Sequence, residues 1–421
     1  MFNRQLIESY PEHEKPVKKA ASALDGLLVI DFTHFVAGPV TTMMLADFGA
    51  RVIKIESPNG GDGFRKYPPH DRSDPEQGAP FIWANRNKAS IALNLKKSEG
   101  VRVSRELVAK ADVVVENFST GVMDRLGLGY ESLAEANKKL IYCAISAYGR
   151  VGEYSKRIGF DPIVQAESGF LSMNGYPDRP GVRSRASVMD IGTGLVASNA
   201  IAMALCARNR DGVGQFIEVP LFDTSMLMTG FGAMQCLTTG SELRRDGNES
   251  PDAFPSGVFR CADREFYMTC GTDSIFRRLF EIGLGRPDVA NDIALQTCAG
   301  RLEQRERLLA IINTSVENME WSTLSKKLTS ASVPHGPVNT LMEALQSDLS
   351  RSRKLVSRVR HPTSGWVPNI RNPIQLSRTP AVEPRPAPTL GENTEEVLRE
   401  LLRYSDADIA RCREAGVFDE K

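Results

Sequence analysis

The sequence predicts an α/β protein: a Rossmann-like large domain built on a parallel sheet, followed by a smaller α/β domain. Three observations carry this. Short apolar runs alternate with stretches of helical periodicity, the pattern of a doubly wound sheet. The chain has 421 residues, more than one hydrophobic core supports. Its composition, 41% hydrophobic and 25% charged, is that of an ordinary globular chain.

Residues 1–24 are polar and mixed in charge, and read as an N-terminal arm rather than a signal peptide. The large domain is expected over 25–237. Its first strand is the apolar run "LLVIDF" (27–32), followed by a helix with Pro39 at a first helical position and Gly49 at the stop. "RVIKIE" (51–56) is the second strand. Further strands are expected at 90–95, 112–118 and 140–146, separated by helices at 98–111 and 130–139. Residues 147–190 are rich in Gly, Arg and Pro and read as a functional loop region around one helix. A long helix at 192–210, a strand at 215–221 and an apolar helix from 222 complete the domain. The polar run 238–257 is a linker or an active-site loop. The small domain (258–345) opens with a hairpin turning at 262–264. A C-terminal segment (346–421) is Pro-rich from 366, closes with an amphipathic helix at 394–402 and returns to the large domain.

Charge and motifs narrow the function. Lys+Arg and Asp+Glu both number 52, which argues against a general nucleic-acid binder but leaves room for a local basic patch that holds a phosphorylated ligand. The seven cysteines form no CxxC pair and read as reduced thiols of a cytoplasmic protein. The five histidines are widely spaced, so no metal site is expected. No apolar run reaches the roughly 18 residues of a membrane span, so no membrane partner is expected. The first strand–helix junction, "DFTHFVAGP", has no GxGxxG; there is no Walker A sequence, and "QAESGF" lacks the first glycine of GxSxG. Asp190, in "SVMDIGTG", stands just ahead of a helical pattern. It is either a helix cap or a reactive carboxylate.

A set of phrases in fixed order bears on that choice: "DGLLVIDFTHFVAGPVTTMMLADFGARVIKIE", "NRNKASIALNLK", "ADVVVENFSTGVMDRLGLG", "GFDPIVQAESG", "MDIGTG", "GQFIEVPLFDTS" and "LGENTEEVL". Together they resemble the class III CoA-transferases, a family that also contains α-methylacyl-CoA racemase. The resemblance runs from about residue 24 to 403, strongest in the first 225. It implies two ring-shaped chains interlocked as a homodimer, with a heterodimer of paralogues as a variant. It also implies acyl-CoA and a carboxylic acid as substrates, with no permanently bound cofactor.

The resemblance makes Asp190 the nucleophile, with nearby glycines letting backbone N–H groups approach the reaction intermediates. Asp161, in "GFDPIVQ", matches an acidic position near the site; it orients the nucleophile or caps its own helix. Lys96 and Arg125 match basic positions that hold CoA phosphates, Lys156 and Arg157 lie one or two residues from another, and Val36 stands where formyl-CoA transferase has a glutamine beside the thioester. His34 reads as a hydrogen-bonded structural residue. Phe160 occupies the position of the racemase histidine and cannot accept a proton, which favours transferase over racemase. The other alternative is a non-catalytic CoA-binding subunit. The glycine run by which formyl-CoA transferase covers its nucleophile is missing from 244–257, favouring a larger acid than oxalate. Arg183 and Arg185 either pair with the distal carboxylate of a dicarboxylic acid, with succinyl-CoA as donor by analogy, or are surface arginines.

Overall fold

The structure is a computed structural model that describes residues 1–13, 21–71, 74 and 76–418. It divides into two units. The first comprises Met1–Phe170, Arg183–Thr239 and Leu349–Lys421; the second comprises Leu171–Val182 and Gly240–Asp348.

The first unit is built on strands β1 (Leu28–Phe32), β2 (Arg51–Glu56), β3 (Lys88–Ala92), β4 (Val113–Glu116), β5 (Ile141–Ser146) and β6 (Phe216–Pro220). All neighbours pair parallel, in the order β3-β2-β1-β4-β5-β6. This order reverses direction between β1 and β4, so their carboxyl ends open the crevice where ligands of such sheets bind. Alternation along each strand feeds two cores. Leu28, Ile30 and Phe32 face one layer with Val103, Leu107, Val397 and Leu398; Val29, Val113 and Val115 face the other with Leu45, Ala197 and Ile201.

The helices that matter here are α1 (Ala37–Asp47), α2 (Ser98–Val108), α3 (Asp161–Glu167), α4 (Val188–Asp211), α5 (Leu221–Met228), α6 (Phe231–Thr239) and α7 (Thr394–Leu402). Gly49 sits just past α1 with φ +96°, a conformation that favours glycine and ends the helix. Pro39 is the third residue of α1, not the first. The single helix expected after β6 is broken at Gly230, φ +59°, into α5 and α6. An antiparallel hairpin, Val356–His361 with Gly365–Ile370, also belongs to this unit and was not anticipated.

Two boundary errors have physical causes. β3 starts at Lys88 rather than 90 because the Lys88 ammonium is buried and fully engaged. It donates to Asp31 (3.1 Å), the Pro39 carbonyl (3.0 Å) and Asn85 (2.8 Å). α4 starts at Val188, four residues before the expected 192, so Asp190 lies inside its first turn. At 24 residues α4 is also long and apolar enough to cross a bilayer by length and composition, contrary to the sequence expectation. In this fold its Met189, Thr193, Ala197, Ile201 and Leu205 are buried.

The second unit has the antiparallel sheet Ser256–Arg260, Glu265–Thr269, His335–Pro337. Its turn falls at the expected 262–264. Phe254, Phe266, Phe276, Phe280, Leu308 and Leu328 form its own buried core with the surrounding helices.

Candidate active site

Asp190 is the third residue of α4, and Ser187 occupies the cap position, so Asp190 does not cap the helix. The first four N–H groups of a helix have no partner within it. Here Val188, Met189 and Asp190 each have one. Val188 donates to the Ala186 carbonyl (2.7 Å), and the bond from Ile191 to the Ser187 carbonyl (2.9 Å) begins the helix's own ladder. Met189 and Asp190 both donate to the same carboxylate oxygen of Asp161, at 2.8 and 3.2 Å. The N–H groups of Met189 and Asp190 are thus held by Asp161. The glycines admit neighbours. A β-carbon at Gly194 would lie 2.8 Å from the Ala37 carbonyl and 2.9 Å from Val40, and one at Gly192 would meet the Met228 sulfur at 2.5 Å.

Asp161 is buried and is the first residue of α3; the cap is Phe160. Its second oxygen accepts from Gln165 Nε2 (2.5 Å), and Gln165 Oε1 accepts from the Ser184 N–H (2.8 Å). One carboxylate thus ties the start of α4, through Gln165, to the stretch carrying Arg183 and Arg185. Both arginines are exposed.

Asp190 itself is half-buried, and among the described residues no donor reaches its carboxylate. Burial first, and the adjacent Asp161 carboxylate second, push its pKa up to about 7. A carboxylate that lacks partners and sits beside another carboxylate is poorly solvated and available to react.

Val36 is buried at the start of α1, in a cluster with Val40, Met43 and Met44. Ile191 packs on the same cluster, together with Phe64 and Trp83, which brings the β1–α1 junction alongside Asp190. His34 is held by reciprocal bonds with Asn117: His34 N–H to Oδ1 (2.9 Å) and Nδ2 to the His34 carbonyl (2.8 Å). These bonds join the loops that follow β1 and β4, across the switch point. Burial holds the His34 imidazole below its ordinary pKa.

The basic candidates are dispersed. Lys96 follows β3 and Arg125 follows β4, both exposed and at the carboxyl end of the sheet that also carries Val36. Lys156 is exposed. The Arg157 guanidinium is engaged by Glu167 and lies 4.9 Å from the centre of the Tyr148 ring.

Several groups at this end were not singled out in the sequence. Lys54 pairs with Asp62 (3.0 Å) and Glu56 with Arg65 (2.7 Å), all fully buried under the loops after β1 and β2. Glu116, at the end of β4, pairs with Arg150 (2.5 Å), yet burial still pushes it up to about 7. Charged residues next to apolar strands were the available signal.

The CoA-transferase family III pattern matches residues 24–394. The chain belongs to CoA-transferase family III. This family III enzyme is 38% identical over 384 residues to a succinate–glutarate CoA-transferase of Agrobacterium fabrum, covering 90% of this chain and 95% of that one. It is 36% identical to an acetyl-CoA:oxalate CoA-transferase of Acetobacter aceti, covering 91% and 97%. Its fold matches the crystal structure of a CaiB/BaiF family protein from Brucella suis with a TM-score of 0.81 and 34% identity, over 91% of this chain and all of that one. The chain is a CoA-transferase, and its parallel six-stranded α/β architecture is that of its structural relatives.

Proposed function

We propose that this enzyme transfers CoA from succinyl-CoA to a dicarboxylic acid by a ping-pong route through Asp190. The observation that carries the route is the Asp190 carboxylate: half-buried, without a donor among the described residues, and with its backbone fixed by Asp161. The choice of acids rests on relatives described as succinate–glutarate and succinyl-CoA:D-citramalate CoA-transferases, and on the exposed Arg183 and Arg185, which flank Ser184, itself bonded to Gln165.

An Asp190 oxygen attacks the thioester carbonyl, the C–S bond breaks, and a mixed anhydride and CoA thiolate form. The thiolate then attacks the aspartyl carbonyl, releasing the first acid and leaving CoA as a thioester on Asp190. The second acid's carboxylate attacks that carbonyl and expels the thiolate, giving a new anhydride. Attack of the thiolate on the substrate-derived carbonyl yields the new acyl-CoA and regenerates Asp190. Each step exchanges one leaving group at an acyl carbon, so neither redox change nor metal enters the balance. In this reading Asp161 positions the nucleophile, Val36 lies beside the thioester, and Lys96, Arg125, Lys156 and Arg157 contribute charge toward the CoA phosphates. The active particle is an interlocked homodimer.

The test is trapping. Incubation with succinyl-CoA and hydroxylamine should leave an aspartyl hydroxamate on the Asp190 peptide, read by mass spectrometry and absent from Asp190→Ala. Failure to label with succinyl-CoA and with other acyl-CoAs would remove Asp190 from the mechanism.

A further inference from the structure

Four aromatic side chains from the loops after β1 and β2 and from the start of α3 gather together, although no single sequence phrase joins them. Phe35 lies edge-on to Phe64 (ring centres 5.6 Å apart), to Tyr67 (6.3 Å) and to Phe160 (6.4 Å), and Phe64 tilts against Tyr67 at 5.0 Å. Three of the four face solvent: Phe35 is 37% exposed, Tyr67 50% and Phe160 58%. Large apolar rings exposed together, rather than singly, mark a surface that something covers.

The cluster is linked to the start of α4 from two sides. Phe160 directly precedes Asp161, whose carboxylate holds the Asp190 N–H. Phe64 packs on the Val36–Val40–Met43–Met44 cluster, against which Ile191 also packs. The rings are thus tied, through Asp161 and through the cluster Ile191 packs on, to the residues that flank Asp190.

The backbone goes to unusual lengths to present Phe35. Its φ is +65°, a left-handed conformation that a bulky residue seldom adopts. Its N–H donates to Asp62 (3.0 Å), and Asp62 is fixed from below by the buried Lys54 ammonium (3.0 Å) and by its own N–H on Glu56 (3.0 Å). The ring lies over Gly63, where a β-carbon would stand 3.0 Å from it. Strain that buried ion pairs over-determine is a feature of functional sites.

We infer that Phe35, Phe64, Tyr67 and Phe160 form the wall that covers the hydrocarbon part of the acyl group during transfer, so that the enzyme selects acyl chains by their methylene length. This rests on the Asp190 reading above and adds the specificity element to it. The edges and faces of these rings offer apolar contact to CH₂ groups and no charge to a carboxylate. They therefore match the methylenes between the carboxyl groups of a diacid, not its ends.

The test separates this inference from the nucleophile reading by measuring binding without chemistry. In an Asp190→Asn background, calorimetric Kd values are compared for CoA, acetyl-, butyryl- and hexanoyl-CoA. The wall predicts a Kd that falls by up to about fourfold per methylene covered. Adding Phe160→Ala should flatten that dependence, Phe160→Leu should retain part of it, and binding of free CoA should change little. Absence of chain-length dependence in the Asp190→Asn protein overturns the inference. So does an equal loss of affinity for free CoA in Phe160→Ala, which would assign the rings to the cofactor instead. Hydroxamate labelling of wild-type Asp190 is scored separately, so a failed nucleophile and a failed wall give different results.

Discussion

At the scale of single residues, the site depends on two carboxylates with unlike surroundings. Asp161 accepts three hydrogen bonds, and Asp190 accepts none from the described residues. Burial, then Asp161, raises Asp190 to about 7, and the proposed role as nucleophile requires the ionised form. kcat/KM should therefore rise with pH through about 7 and level above it. Asp161→Asn removes the like charge, so the same limb should move to lower pH; an unmoved limb would deny the coupling. The linkage has a definite sign. A carboxyl raised in the folded state contributes stability that is complete below its unfolded pKa and lost as pH rises through about 7. Asp190→Asn should thus melt higher than wild type, by about 2 °C or more at pH 8. The gain should shrink between pH 7 and 4 and disappear below, as read by calorimetry. Asp190 was legible because its phrase is local. The Asp161 contact was not, because it joins residues 29 apart in sequence and depends on how α3 meets α4. The aromatic cluster was hidden for the same reason: only Phe160 was noticed, and for what it replaces rather than for what it touches.

At the scale of elements, most of the sheet could be read from the chain, since β1, β2 and β5 are short, largely apolar runs buried on both faces. The start of α4 could not. The expected helix began at Gly192, but the real one starts a turn earlier and takes in Asp190. Asp161 satisfies the N–H groups ahead of Gly192, and Gly192 and Gly194 are needed for close approach to α1 and α5. Their substitutions should differ accordingly. At Gly194 a methyl group meets the Ala37 backbone carbonyl and Val40, so Gly194→Ala should cost about 1–3 kcal/mol by overpacking. At Gly192 the obstacle is the flexible end of Met228, and the gain in helix propensity, about 0.5–1 kcal/mol, offsets it. Gly192→Ala should then be close to neutral. Urea unfolding of the two variants decides the point; equal losses would contradict this account of why the glycines are there.

At the scale of the whole molecule, the first unit leaves a large apolar surface on α4, which carries Asp190, and on the neighbouring α5 and α6. Leu195 and Met203 on α4 are 44% and 64% exposed, Leu227 on α5 71%, and Phe231 and Leu237 on α6 78% and 79%. A soluble monomer rarely leaves so many large side chains in water on neighbouring elements. The expectation of a dimer came from family resemblance alone. The exposed rows on α4, α5 and α6 supply an independent physical reason for one, since covering them with a second copy removes the cost of hydrating them. Sedimentation velocity should find a particle of twice the chain mass at micromolar concentration. Placing charges in the exposed rows, as in Leu227→Glu with Phe231→Glu, should shift it toward a single chain or into aggregates, because an unpaired carboxylate buried at such a surface is costly. The same double variant should lose hydroxamate labelling at Asp190 if α4 depends on the second copy for its position. A wild-type protein that sediments as one chain would show that these side chains face water in the working enzyme and serve something other than self-association.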